Sequence, residues 1–172
     1  MPKLIKLEDG RPAWAEDAFL VVADEDPTPG QGGGILSLAR FQAEGETLLA
    51  AGRAVGVKLE ADQAVEGLAY DLPRLAVVAL NFPRFRDGRQ YSQAAVLRQR
   101  LGFRGEIRAV GDVLREQAHF MARVGFDAFA FNDDTTPESL AHVMGRFRHV
   151  YQRAQDERTP IFVERMEGGA DA

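Results

Sequence analysis

Cysteine is missing from all 172 residues of the chain. Its absence excludes disulfides, iron–sulfur clusters, thiolate zinc sites and cysteine nucleophiles together. Long apolar runs are missing as well: nothing approaches the roughly 20 residues that cross a bilayer. Met1–Gly10 lacks the apolar stretch of a signal peptide. The expected compartment is the cytoplasm, with no membrane partner. Histidine is scarce, with only His119, His142 and His149. The last two stand seven apart on one expected helix, where a metal pair needs three or four, so no metal site is predicted. His119 is expected on a polar helix face, meeting water. A Gly-x-Ser-x-Gly elbow is lacking, which removes that class of serine hydrolase. Positive charge is also in deficit: the net charge is −5 and the pI about 5.3, so no nucleic-acid partner is expected.

What is present is an ordinary globular composition, 45% hydrophobic and 27% charged, of a size for a single domain over residues 1–172. Residues 1–54 read as irregular, with short strands at Phe19–Val22 and Ile35–Leu38 and a helix over Ala39–Ala51. The cluster Gly30-Gln-Gly-Gly-Gly has neither the lysine of a phosphate-binding loop nor the dinucleotide spacing, and reads as a surface turn. Residues 55–154 are regular. Strands are expected at Val55–Leu59, Leu75–Leu80, Glu106–Val110 and Asp127–Phe131. Helices are expected at Ala61–Asp71, Ser92–Leu101, Asp112–Val124 and Pro137–Tyr151. Asp112 reads as the cap of the third of these, Gly125 as its stop, and residues 167–172 as a frayed tail. The fold class is α/β: repeated βα units with a mainly parallel sheet, open or forming a partial (β/α) barrel. Uncovered edges make a homo-oligomer an expectation.

Ligands of parallel α/β folds gather at the carboxyl ends of the strands. There the loop Asn81-Phe-Pro-Arg-Phe-Arg-Asp-Gly-Arg-Gln-Tyr-Ser is the strongest signal. Arg84, Arg86 and Arg89 offer planar donors to an oxyanion or an acidic surface, and the helix start near Tyr91 and Ser92 adds free N–H groups. Asp87 or Asp112 is the candidate general acid or base; otherwise Asp87 partners a neighbouring arginine and Asp112 serves only as the helix cap. From Arg84 to Arg108 seven arginines face two acids, Asp87 and Glu106, inside an acidic chain. Arg98 and Arg100 fall on an outward helix face. Arg108 shares a strand face with Glu106, and either points to a site near Asp112 or forms an ion pair at a sheet edge.

The loop above, the stretch Leu97-Arg-Gln-Arg-Leu-Gly-Phe-Arg-Gly-Glu-Ile-Arg-Ala-Val-Gly-Asp-Val-Leu-Arg-Glu-Gln, and Gly125-Phe-Asp-Ala-Phe resemble a bacterial family known as domain of unknown function 934. The resemblance implies a place in sulfur assimilation, since such proteins are often encoded beside assimilatory sulfite reductase and some are described as oxidoreductases of sulfite reduction. It supplies no catalytic residues. Many relatives carry cysteine at the position of Val124 and glycine at that of Gln90, so thiol redox chemistry is not the expected shared activity. Two expectations follow. One is an accessory protein that docks sulfite reductase or its electron donor; the other is a small enzyme or sensor that binds an oxyanion or phosphorylated ligand through Arg84, Arg86, Arg89 and Arg108. No cofactor is predicted, and a flavin held without a motif stays open.

Overall fold

The computed structural model describes residues 4–27, 32–156 and 158–168. Among the described residues, eight strands form one sheet: β1 (Leu4–Glu8), β2 (Arg11–Ala15), β3 (Phe19–Val21), β4 (Gly33–Ser37), β5 (Val55–Leu59), β6 (Val77–Phe82), β7 (Glu106–Gly111) and β8 (Ala128–Ala130). The helices are α1 (Leu38–Ala50), α2 (Arg89–Ala95), α3 (Ala118–Val124), α4 (Pro137–Met144) and α5 (Ile161–Gly168). The strand order is β2-β1-β8-β7-β6-β5-β4-β3, and the sheet curls into a half-barrel.

The expected mainly parallel sheet is a mixed one. Strands β3 to β8 run parallel, but β1 lies antiparallel to both β8 and β2. Residues 1–54 are far from irregular, since four of the eight strands lie there. Pro12 inside β2 obscures this hairpin, yet proline is tolerated at a sheet edge, where its missing N–H costs no ladder bond. Repeated βα units also fail between β5 and β6. The expected helix over 61–71 is two 3₁₀ turns, Val65–Leu68 and Leu72–Arg74.

Helix limits move for local reasons. The helix α4 stops at Gly145, so Pro137–Tyr151 is not one helix; Thr136 and Ser139 cap its start reciprocally. The helix α2 begins at Arg89, three residues before the expected start, and widens into a π turn over Val96–Arg100. Asp112 caps nothing, because its N–H donates to the Phe82 carbonyl at 2.8 Å and prolongs the β6–β7 ladder. Helix α3 therefore starts only at Ala118. Of the glycine cluster, Gly30 and Gln31 lie outside the described residues. Gly33 and Gly34 are buried strand residues rather than a surface turn. The Phe19 ring lies where a Cβ on Gly33 would sit, so this position tolerates no side chain without a shift. The expected frayed tail begins inside α5, and residues 169–172 lie outside the described range.

The main core lies between the sheet and its helices. Leu36, Val57, Leu80, Ile107 and Phe129 meet Phe41 of α1, Leu97 beyond α2, Met121 of α3 and Leu140 of α4. The opposite face carries a second, smaller cluster of Ile35, Val77 and Ala79 with Phe19 and Val110. Only residues 16–18 separate the end of β2 from the start of β3, at opposite ends of the strand order. At about 3.5 Å per residue, the two sheet edges stand no more than about 14 Å apart. The face that carries Ile35, Val77 and Ala79 is the inside of the curl, since Arg108, in register with Ala79, reaches Asp17 in this link.

Candidate functional site

The carboxyl ends of β6, β7 and β8 are neighbours, as the site requires. On the loop after β6, Arg84, Phe85 and Arg86 are exposed, and neither guanidinium has a partner among the described residues. The backbone beneath them is held from the next loop. The Phe85 N–H donates to the Asp112 carboxylate at 2.9 Å, and the Phe85 carbonyl accepts from Gln117 Nε2 at 2.5 Å. Asp112 is thus a loop clasp. Arg89 is spent on Asp87 through two bonds, Nε–Oδ1 at 2.9 Å and a second at 2.6 Å. That guanidinium is the main cause holding the Asp87 carboxyl down at about 2, so Asp87 is ionised at neutral pH and has no proton to give. Tyr91 is half-buried, edge-on to Phe82 at 5.6 Å, and burial pushes its phenol up; Ser92 is exposed on α2.

Arg108 does not join this loop. It is 2% exposed and stands on the inner face of β7, flanked by β6 and β8, so the ion pair is not at a sheet edge. Its guanidinium reaches across the curl to Asp17 in the 16–18 link, with bonds of 2.9 and 3.0 Å, while Nε meets Glu106 at 2.6 Å. Lys6 of β1 closes the chain at 2.6 Å from Glu106. Two cations and two carboxylates neutralise one another, as burial demands. Asp17 also accepts the Phe19 N–H at 3.0 Å, which fixes the entry to β3.

Lys6, Lys58 and Glu60 were not singled out from the sequence. In register, Lys58 of β5, Ala79, Arg108, Ala128 and Lys6 form one row on the inner face. Beyond the row, Glu60 receives Lys58 at 2.9 Å and Asn81 Nδ2 at 2.5 Å. Burial raises the Glu60 pKa, but these two hydrogen bonds and the Lys58 charge outweigh it and hold the carboxyl below its ordinary value. Buried Gln90 donates to the carbonyls of Leu59 and Asn81 at 3.2 and 3.1 Å, joining the ends of β5 and β6. The period-two alternation Lys58-Leu59-Glu60 was the available signal, since it puts both charges on one strand face.

Arg98 is no outward residue either. It donates to the carbonyls of Phe103, Gly105 and Gly125 at 2.7, 2.8 and 3.1 Å and pairs with Asp127. It clamps the amino ends of β7 and β8. The Arg98 chain passes where a Cβ on Gly125 would stand, and Gly125 has φ of 109°, so the helix stop also makes room for the clamp. Arg100 is exposed, 3.7 Å from Glu66.

Residues 56–162 match the model of a family described as bacterial protein of unknown function (DUF934). The match takes in more than half of the chain, and the chain belongs to that family. No curated protein matches it.

Proposed function

We propose that this protein is an accessory component of assimilatory sulfite reduction, docking the acidic surface of the reductase or its electron donor through Arg84, Phe85 and Arg86. The pathway comes from the family resemblance; the surface rests on one observation. Both backbone polar groups of Phe85 are held by Asp112 and Gln117, while the side chains on either side stay exposed and have no partner among the described residues. A loop ordered before encounter loses little entropy on binding. An aromatic between two arginines matches the residue types that anchor interfaces. The reading of an oxyanion site built on four arginines has less support, because Arg89 and Arg108 are committed to carboxylates.

The test is binding of the purified chain to sulfite reductase and to its electron donor at low and high salt. Affinity that falls with ionic strength and with Arg84→Ala, Arg86→Ala or Phe85→Ala is the expected result. No binding to either protein at low salt overturns the proposal. In a deletion strain, growth should fail on sulfate and sulfite and return on sulfide; normal growth on all three removes the pathway.

A further inference from the structure

The amino-end face of the half-barrel, opposite the arginine loop, holds a groove of about 1150 Å³. It runs between the β1–β2 turn, helices α3 and α4, and the segment after α4. Leu7, Phe126, Ala141 and Met144 give it an apolar floor. Six arginines and four carboxylates (Asp9, Asp127, Glu138 and Asp156) line it, an excess of two positive charges in a chain of net charge −5. Internal pairs consume part of this set, Arg98 with Asp127 and Arg123 with Asp156. Arg158 is spent on the carbonyls of Phe147 and Arg148. The guanidinium groups of Arg11, Arg104 and Arg148 have no partner among the described residues.

An independent observation lies at the groove wall. His119 is only 4% exposed, yet its ring nitrogens have no hydrogen-bond partner among the described residues. Its ring stacks on Phe147 with centroids 4.6 Å apart and meets Phe120 edge-on at 5.3 Å. Burial, then the charges of Arg158 and Arg123, push its pKa down against the weaker pull of Asp156, so it stands neutral, with one donor and one acceptor. The ring is enclosed, but its nitrogens keep contact with solvent, so the groove leaves a donor and an acceptor open to a ligand.

We propose that this groove binds a nucleotide, a phosphate ester that also carries a flat heteroaromatic ring. The ring lies on the apolar floor beside the His119–Phe147 pair, and the phosphate meets Arg11, Arg104 and Arg148. A phosphate monoester carries about −1.5 to −2 charges, which balances the local excess. A bare oxyanion would leave the apolar floor wet. A groove of this size also exceeds the roughly 300 Å³ at which small-molecule sites begin.

The test is calorimetric titration of the full chain with ADP and with flavin mononucleotide, using adenosine and inorganic phosphate as controls. At least one nucleotide should bind, raise the melting temperature and shift the His119 ring resonances, while neither control matches it. Arg104→Ala and Arg148→Ala, both at exposed positions, should fold normally and bind about tenfold more weakly, the loss of a charge-assisted contact. Three outcomes overturn the proposal: no nucleotide binding at about 5 mM, inorganic phosphate binding as well as ADP, or unchanged affinity in both variants. His119→Gln, which keeps a donor and an acceptor, should retain more affinity than His119→Leu; equal affinities would remove the histidine from the site.

Discussion

Arginines within 25 residues of one another do opposite work here. Arg98 and Arg108 are enclosed and use their donors on carbonyls and a carboxylate that lie just before strands or in the link ahead of β3. Arg84 and Arg86 have no side-chain partner among the described residues, and instead are held through the backbone of the residue between them. A run of one residue type is therefore no single feature. The inner pair closes the fold, and the rim pair leaves charge to spare for a partner.

The largest effect that would test this division is at Arg108. Arg108→Met should cost about 3–5 kcal/mol in urea unfolding, because Glu106 and Asp17 lose their shared buried cation. A loss near zero would break the comparison at once. Arg98→Ala should cost about 2 kcal/mol, since three carbonyls and Asp127 lose a charged donor.

A smaller effect depends on pH. The His119 pKa is lowered in the folded chain, so on acidification the unfolded chain takes up the proton first. Stability from this group is complete above about pH 6.5 and is lost as the pH falls toward the folded-state pKa. Melting curves between pH 7.5 and 5.5 should therefore drop less in His119→Gln than in the parent chain. Least of all, Arg84→Ala and Arg86→Ala should change stability by less than about 0.5 kcal/mol while weakening partner binding. If either destabilises the fold as much as Arg98→Ala, the rim arginines are structural too.

Much of the fold was legible in particular residues. The continuous apolar run before Asn81 and the alternation in Glu106–Val110 mark β6 and β7, and α1 lies within one residue of its expected limits. The pairing of Arg108 with Glu106 was one of the two readings that their shared strand face left open. Its other partner, Asp17, did not, because 91 residues separate them and no local pattern encodes closure of a sheet. The clasp on Phe85 was hidden for a similar reason. Asp112 has the composition of a helix cap, and only the tertiary path of β6 beside β7 turns it toward another loop. His119 was misplaced because helical periodicity assigns faces relative to one helix axis, whereas the segment after α4 folds back and covers it.

The strand order has a consequence for synthesis. Strand β1 pairs with β2 and β8, and β8 spans residues 128–130. At roughly 5–20 residues per second, the ribosome needs about 6–25 seconds after completing β1 to deliver its second neighbour. Throughout that interval Leu4 and Ile5, both buried in the finished sheet, have no partner on one side. Strand β1 is thus seated only once β8 arrives, and until then the nascent β1–β2 hairpin keeps an open edge.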